Sequence, residues 1–484
     1  MSGIAALNII VKDQSFLIGT NFQGITGVLG ITEMGPINKP ILVSSWIEYT
    51  REFGGLLDKS DFPLLCRRAL DAGAKLYISR VGHYTDITDS STLDGVKASG
   101  TLGAKFEAYS IGSWGNKIKV TVADAISGIT NKVDITVEIL SNSSLTQTIK
   151  DFDLSPTMSD VNVKFNLLSK YVKMVNNTTL TKGSVTLTGG AQDTSLITKI
   201  DYIGDSSKGT GIYSFDSITD ITKIAIPEMS IPDIDIALAN YADSRKDLMA
   251  IIHAPVGVDG ITAYNYRDGK DIYTHSPINS WRTLMFYGDL KTVHPLTNLD
   301  RIDTPIPDVL GILSDKDSNG NVWDSFGGST RGRIRNALGV NVNLGVASKK
   351  SLADKLDSAG INLIIEHPSF GLVIWGNSTL YKEDSLLKHA NVAELMIYLN
   401  RGLKPLVESV IFEPNDPRTW RDIYFRVSTF MNQIKSNRGI IDYVYQGDQD
   451  AASVKDVVIN KTADIDAGKY TFNLFVQPTV VLKY

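Results

Sequence analysis

At 484 residues and 43% hydrophobic content the chain can fill more than one core, because a single core stops growing beyond about 250–300 residues. A net charge of −5 with 21% charged residues removes any global electrostatic case for nucleic acid. The single cysteine, Cys66, excludes an internal disulfide and suits a reducing cytoplasm. The opening Met1-Ser-Gly-Ile-Ala-Ala has no basic segment of a leader, and no apolar run approaches the roughly 18 residues of a membrane span.

Residues 1–22 alternate apolar positions (Leu7, Ile9, Val11) without a turn to fold them back, so they read as a lone strand or arm. An α/β stretch follows. Ile25–Ile31 is a short apolar run, Met34-Gly-Pro a turn and Pro40-Ile-Leu-Val a strand. Ser44 or Ser45 caps a predicted helix carrying Trp46, Ile47 and Tyr49 that ends at Phe53-Gly54-Gly55. A second helix is expected over Phe62–Ala72, stopped by Gly73, and a buried strand over Lys75–Val81.

From about 86 to 200 the chain turns rich in Ser, Thr, Asp, Asn and Gly, with alternating runs such as Lys117-Ile-Lys-Val-Thr-Val and Val133-Asp-Ile-Thr-Val-Glu-Ile. That pattern predicts an antiparallel β-domain with one wet face, inserted into an exposed loop of the α/β part. The α/β signal resumes with a strand at Ile221-Thr-Lys-Ile-Ala-Ile, a helix over Pro232–Ser244 started by its proline, and a strand at Leu248–His253. Residues 255–330 read as loop-rich. Clear periodicity returns at 361–375, 384–402 and 419–437, and the chain closes in a strand-like tail, Thr479-Val-Val-Leu-Lys-Tyr484, set off by Pro478.

Enzyme-like motifs are weak. Gly327-Gly-Ser-Thr-Arg-Gly-Arg-Ile334 has the glycine spacing of a phosphate-binding loop, but Arg333 and Ile334 stand where that loop needs Lys and Ser or Thr. A tight turn with an arginine reaching a neighbouring loop is the expectation there. The six histidines are scattered, His253 closing an apolar strand as an interior imidazole, and no spacing suggests zinc. Cys66 lies beside Arg67 and Arg68 with no base nearby in sequence. Neither a metal site, a cofactor nor a catalytic residue is assigned.

The 419–437 helix says more. Trp420, Ile423, Val427, Phe430 and Ile434 recur at spacings of 3, 4, 3 and 4, an inward stripe. Arg421, Ser428, Asn432 and Lys435 are placed on the reverse side, with Arg418 before and Arg438 after. A solvated helix face is the plain reading of that side, yet Arg418, Arg421, Arg426, Lys435 and Arg438 against Asp422 make this the most basic short segment of an acidic chain.

Several phrases resemble the contractile tail sheath proteins of myophages and related injection systems. They are Gly27-Val-Leu-Gly-Ile-Thr-Glu-Met-Gly-Pro, Ala72-Gly-Ala-Lys-Leu-Tyr-Ile-Ser-Arg, Phe106-Glu-Ala-Tyr-Ser-Ile-Gly-Ser-Trp-Gly-Asn, Arg245–Pro255, Trp323–Gly332, Gly371-Leu-Val-Ile-Trp-Gly-Asn-Ser-Thr and Phe412-Glu-Pro-Asn-Asp-Pro-Arg-Thr-Trp. They occur in family order over most of the chain, with Phe326-Gly327 standing where Pro-Ala is usual. The resemblance implies a multidomain α/β (α+β) subunit in which an α/β core carries an inserted antiparallel β-domain and extended terminal strand arms. Its parts would be an N-terminal arm (1–22), a discontinuous middle domain (23–85 and 201–349), an outer β-domain (86–200), an inner domain (350–478) and a C-terminal arm (479–484).

It further implies a structural protein, not an enzyme, that polymerises with itself as hexameric rings in a helical stack around a tail tube. The other implied partners are the baseplate and tail terminator, with no nucleic acid and no membrane insertion. Contraction would drive the tube through a target envelope during genome ejection. The implied place is the virion tail, assembled in the host cytoplasm; the alternatives are the sheath of a phage-derived injection or secretion device and, further off, an α/β enzyme. Arg418, Arg421 and Lys435 would then face the tube, while Leu7, Ile9, Val11, Val480 and Leu482 would add strands to a neighbour's sheet.

Overall fold

The computed structural model describes residues 24–481. They divide into two compact units, one formed by Val28–Arg67 with Leu76–Ser217, the other by residues 24–27, 68–75 and 218–481.

The unit containing residue 28 begins with β1 (Ile25–Gly30), β2 (Ile41–Val43), α1 (Trp46–Phe53), α2 (Phe62–Asp71) and β3 (Lys75–Arg80). Ser45 caps α1 by accepting the Glu48 N–H, as expected of a serine before an amphipathic run. Gly30 is required by close packing, since a Cβ there would lie 2.2 Å from the Phe62 ring. Strands β1, β3 and β2 lie side by side, β2 antiparallel to β3.

Residues 99–186 supply β4 (Ser99–Leu102), β5 (Ala104–Ala108), β6 (Ile118–Asp124), β7 (Lys132–Ile139), β8 (Gln147–Asp153), α3 (Met158–Leu168), β9 (Val172–Met174) and β10 (Gly183–Thr186). They form two antiparallel sheets, β10-β6-β7-β8 and β4-β5-β9. The alternation read from the sequence is real: Ile118, Val120 and Val122 face a shared core with Ile135, Val137, Phe106 and Phe165, while Lys119 and Thr121 face outward. Helix α3 leaves no periodic signal in the sequence. Only Val161 and Phe165 of its residues are buried, too few for a visible stripe. The short α4 (Lys199–Ile203) closes this unit.

Arg80 is the unit's internal tie. Its guanidinium is buried and donates to the Gly35 carbonyl (2.8 Å), the Ile111 carbonyl (3.2 Å) and the Gln192 side chain. Burial pushes its pKa down to about 10, so it stays charged at neutral pH.

The other unit is built on β11 (Ile221–Ala225), α5 (Pro232–Arg245), β12 (Met249–His253), α6 (Gly260–Asp268) and β13 (Thr283–Tyr287). After β14 (Leu290–Val293), β15 (Asp300–Asp303), α7 (Ile306–Asn319), β16 (Gly339–Val340) and α8 (Lys350–Ser358) come β17 (Ile361–His367) and β18 (Gly371–Trp375). Its sheet runs β18-β17-β13-β12-β11, parallel from β11 to β17, with β18 antiparallel at the edge. β11, β12 and β13 are buried throughout, as parallel strands covered on both faces are.

The stretch 255–330, read as loop-rich, holds α6, β13, β14, β15 and α7. α7 carries no amphipathic signal in sequence because it is buried nearly all round, including Lys316 and Asp317. Those charges are paired inside. Lys316 lies 2.8 Å from both Asp317 and Glu394, and Lys223 bonds Asp317 and sits 3.2 Å from Glu394. The chain then forms α9 (Ala390–Glu408), α10 (Pro417–Ser436), β19 (Ile440–Gln446), α11 (Thr462–Asp466) and β20 (Asn473–Pro478).

Candidate functional site

Asp416 starts α10 by accepting the N–H groups of Arg418 (3.0 Å) and Thr419 (2.9 Å), with Pro417 in the first turn. The expected stripe points inward: Trp420, Ile423, Val427, Phe430 and Ile434 are all buried, and Met431 joins them. Ile423, Val427, Phe430, Met431 and Ile434 pack with Leu395, Leu399 and Leu403 of α9 and with Ile440 and Leu474 of the β19–β20 hairpin. The Trp420 indole stacks on Tyr470 at 5.3 Å and donates to Asn415.

With that side consumed, the opposite side carries Arg418, Arg421, Phe425, Thr429 and Asn432, all exposed. Among the described residues Arg418 and Arg421 have no carboxylate partner. Phe425, 62% exposed, places an apolar ring between cationic and polar neighbours. Phe425 lies outside the apolar stripe, so helical periodicity does not single it out.

Two placements on this helix need correction. Ser428 is buried, since it follows Val427 around the inner edge of the helix. Lys435 is not a spare charge: its ammonium sits 2.8 Å from Asp442 of β19, and that hydrogen bond holds the Asp442 carboxyl below its ordinary range. Seven residues separate the two, and only the turn after α10 brings them together. Arg426 is likewise engaged, with Asp422 at 2.9 Å and the Ser409 hydroxyl at 2.9 Å. Arg438 is exposed in the left-handed region at φ 63, ending the helix.

β19 and β20 pair only with each other among the described residues. Their inner side chains, Tyr443, Tyr445, Leu474 and Val476, pack on the α9–α10 core. Their outer side presents the cross-strand pair Val444 and Phe475, 52% and 37% exposed. An open two-stranded sheet with an apolar outer pair is a template for another strand. Past β20, Thr479 is tied back, its N–H to the Gly439 carbonyl (3.1 Å) and its carbonyl to Asn391 (3.0 Å). Val480 is exposed. Leu7, Ile9, Val11 and Leu482 lie outside the described residues.

The glycine stretch at 327–334 covers the edge of β18. Gly328 and Ile334 donate to the Ile374 and Leu372 carbonyls, and Gly332 accepts from Ile374. Arg331 reaches Asp324 at 2.7 Å, and Arg333 donates to the Ser329 carbonyl. Gly327 is needed for closeness, because a Cβ would meet the Gly376 carbonyl oxygen at 2.2 Å. The Gly328 and Ile334 N–H groups go to the sheet edge, the Gly332 N–H to the Gly328 carbonyl and the Gly327 N–H to the Ser325 hydroxyl. His253 is buried with Nδ1 2.7 Å from the Ala254 carbonyl, and burial pushes its pKa down to about 4. Cys66 is buried in α2. Among the described residues no group of three or more His, Cys, Asp or Glu could hold a metal, and no helix is long and apolar enough to cross a membrane.

No protein-family model matches the chain. Over 257 residues, half of this chain, it is 22% identical to the tail sheath protein of Enterobacteria phage T4, and over 177 residues 24% identical to that of Vibrio phage KVP40. These matches span 37% and 25% of the two phage proteins, so the chain corresponds to only a part of each. In fold, the sheath tail protein Lin1278 from Listeria innocua superposes with a TM-score of 0.62 at 14% identity, covering 95% of this chain and 96% of that one. The helical sheath of the anti-feeding prophage in its contracted state gives 0.56 at 12% identity, covering 100% and 98%. The mixed α/β, many-sheeted architecture expected from the sequence is the one these proteins share. Over up to half of its length by sequence, and over nearly all of it by fold, the chain is similar to tail sheath proteins.

Proposed function

We propose that this chain is the repeating subunit of a contractile tail sheath, which polymerises around a tail tube and shortens to drive that tube through a target envelope during genome ejection. The observation that carries the reading is the open β19–β20 sheet with its outer Val444–Phe475 pair, close to the exposed start of the tail at Val480. A subunit that lends a strand and offers an edge propagates by main-chain hydrogen bonds, and repetition gives a filament. Residues 1–22 and 479–484 act as the lending arms, with Leu7, Ile9, Val11, Val480 and Leu482 as their apolar teeth. Residues 86–200 form the outer domain, 23–85 with 201–349 the middle one and 350–478 the inner one.

In this reading Arg418 and Arg421 seat the inner domain on the tube, with Lys435 held at the flank by Asp442. Each contact is worth about 0–1 kcal/mol, and repetition around a ring makes the grip firm yet releasable. The tube, baseplate and terminator are the further partners, the virion tail is the location, and the protein works without catalysis. The full-length likeness to the anti-feeding prophage sheath favours, as a second reading, the sheath of an injection device. Electron microscopy of the purified chain tests the core of the proposal. Hollow cylinders are expected from the intact chain, and soluble, folded subunits from chains lacking 1–14 or 479–484. Cylinders of normal length from both truncations would overturn the arm assignment.

A further inference from the structure

A cleft of about 480 Å³ lies between α6, α8 and the loop before α9. Its charged lining is one-sided: Arg267, Lys355, Lys382 and Lys388 against the single carboxylate of Asp268. Arg267 is buried at the floor, donating to Asp268 (2.7 Å) and to the Leu380 carbonyl (2.8 Å). Asp268 is already saturated, with Lys270 at 2.7 Å and Lys382 at 3.1 Å as well. Burial alone would raise its carboxyl, and these three cations overcome that and hold it far below the usual range.

Asp268 therefore cannot balance the remaining charge. Lys355 has no carboxylate partner among the described residues, and its ammonium lies 4.1 Å from the centre of the Tyr264 ring. Lys388 has only the fully exposed Asp384, at 3.6 Å. Three ammonium groups thus converge on one concave site of a chain whose net charge is −5. Held apart by water they repel weakly, but burial in an interface makes an unpaired cation costly and rewards an incoming carboxylate.

We infer that this cleft is a contact socket for a second copy of the chain, taking an acidic segment of that neighbour between Lys355, Lys382 and Lys388. The inference rests on the self-assembly reading above. A second copy fits best because the chain is net acidic, at −5, and the polymer presents it at fixed geometry and high local concentration.

The test compares the intact chain, K355E/K382E/K388E and the matching triple arginine variant, by sedimentation and electron microscopy across a salt series. Thermal unfolding is followed in parallel. The glutamate variant should fold normally yet need about tenfold or more protein to polymerise, as like charges across an interface cost at least that factor. The arginine variant should assemble like the intact chain. K355E alone, which breaks no ion pair, should shift the threshold in the same direction and keeps the test open should the triple variant unfold.

An unchanged threshold and salt dependence in folded K355E and in the triple variant would overturn the socket while leaving self-assembly standing. A wild-type chain that stays monomeric at every salt concentration would overturn both. Heat of binding with inorganic pyrophosphate, combined with unchanged assembly of the glutamate variant, would assign the cleft to a free anion and overturn the socket.

Discussion

Asp235 lies buried in α5 and accepts a hydrogen bond from the Tyr266 hydroxyl at 2.5 Å, with no cation paired to it among the described residues. Burial pushes its pKa up to about 8, against about 4 in an unfolded chain. The folded state therefore holds a proton that the unfolded state releases between those values, and this group's contribution to stability falls as pH rises from about 4 to 8. D235N keeps an acceptor for Tyr266 and cannot ionise, so urea midpoints of the variant should decline less from pH 5 to 8 than those of the intact chain. Parallel declines would show that Asp235 is ionised and partnered throughout.

The Lys223, Lys316, Asp317 and Glu394 cluster is the opposite case. Burial alone would raise the Asp317 carboxyl, but the two ammonium groups hold it below its ordinary range. Removing one member leaves an unbalanced buried charge between β11, α7 and α9, so K316M should cost about 3–5 kcal/mol in urea unfolding. A loss below about 1 kcal/mol would mean that water enters the site, since the loss of an exposed ion pair costs no more than that.

α10 divides its labour by face. One side is committed to the core through Trp420, Ile423, Val427 and Phe430, which leaves Arg418 and Arg421 exposed beside Phe425. R418E/R421E should leave the thermal midpoint and self-polymerisation unchanged, because neither side chain has an ion pair to lose among the described residues. Assembly on purified tubes should fail, or lose its salt sensitivity. K435E should behave differently: it sets two carboxylates together at the Asp442 contact and loosens the end of α10 against β19. Sheaths forming normally on tubes with R418E/R421E would return this face to solvent.

At the scale of the whole molecule, the 86–200 segment tests how separable the parts are. Its core residues include Phe106, Val120 and Phe165, yet Met34 belongs to the same cluster, and Ser110, Ile111 and Gln192 surround Arg80. Replacing 86–200 by a short Gly/Ser bridge would strand a buried guanidinium. The simple excision should be poorly soluble, and the same excision combined with R80L should recover soluble subunits able to form cylinders. Equal solubility of the two would show that Arg80 finds water or new partners.

What the sequence by itself determined is local: the serine cap of α1, the Pro232 start of α5, the alternation in β6 and β7, and the stripe of α10. Each depends on neighbours within a few residues, where period and capping chemistry are readable. The ordered phrases along the chain carried the family resemblance. Tertiary structure alone decided the strand order β18-β17-β13-β12-β11, the burial of α7 with its charges paired to α9 and β11, the Lys435–Asp442 pair and the convergence of three lysines on one cleft. These are meetings of residues far apart in the chain. A charge reads as a surface charge until the fold sets its partner beside it, and a cleft exists only once separate helices and loops enclose it.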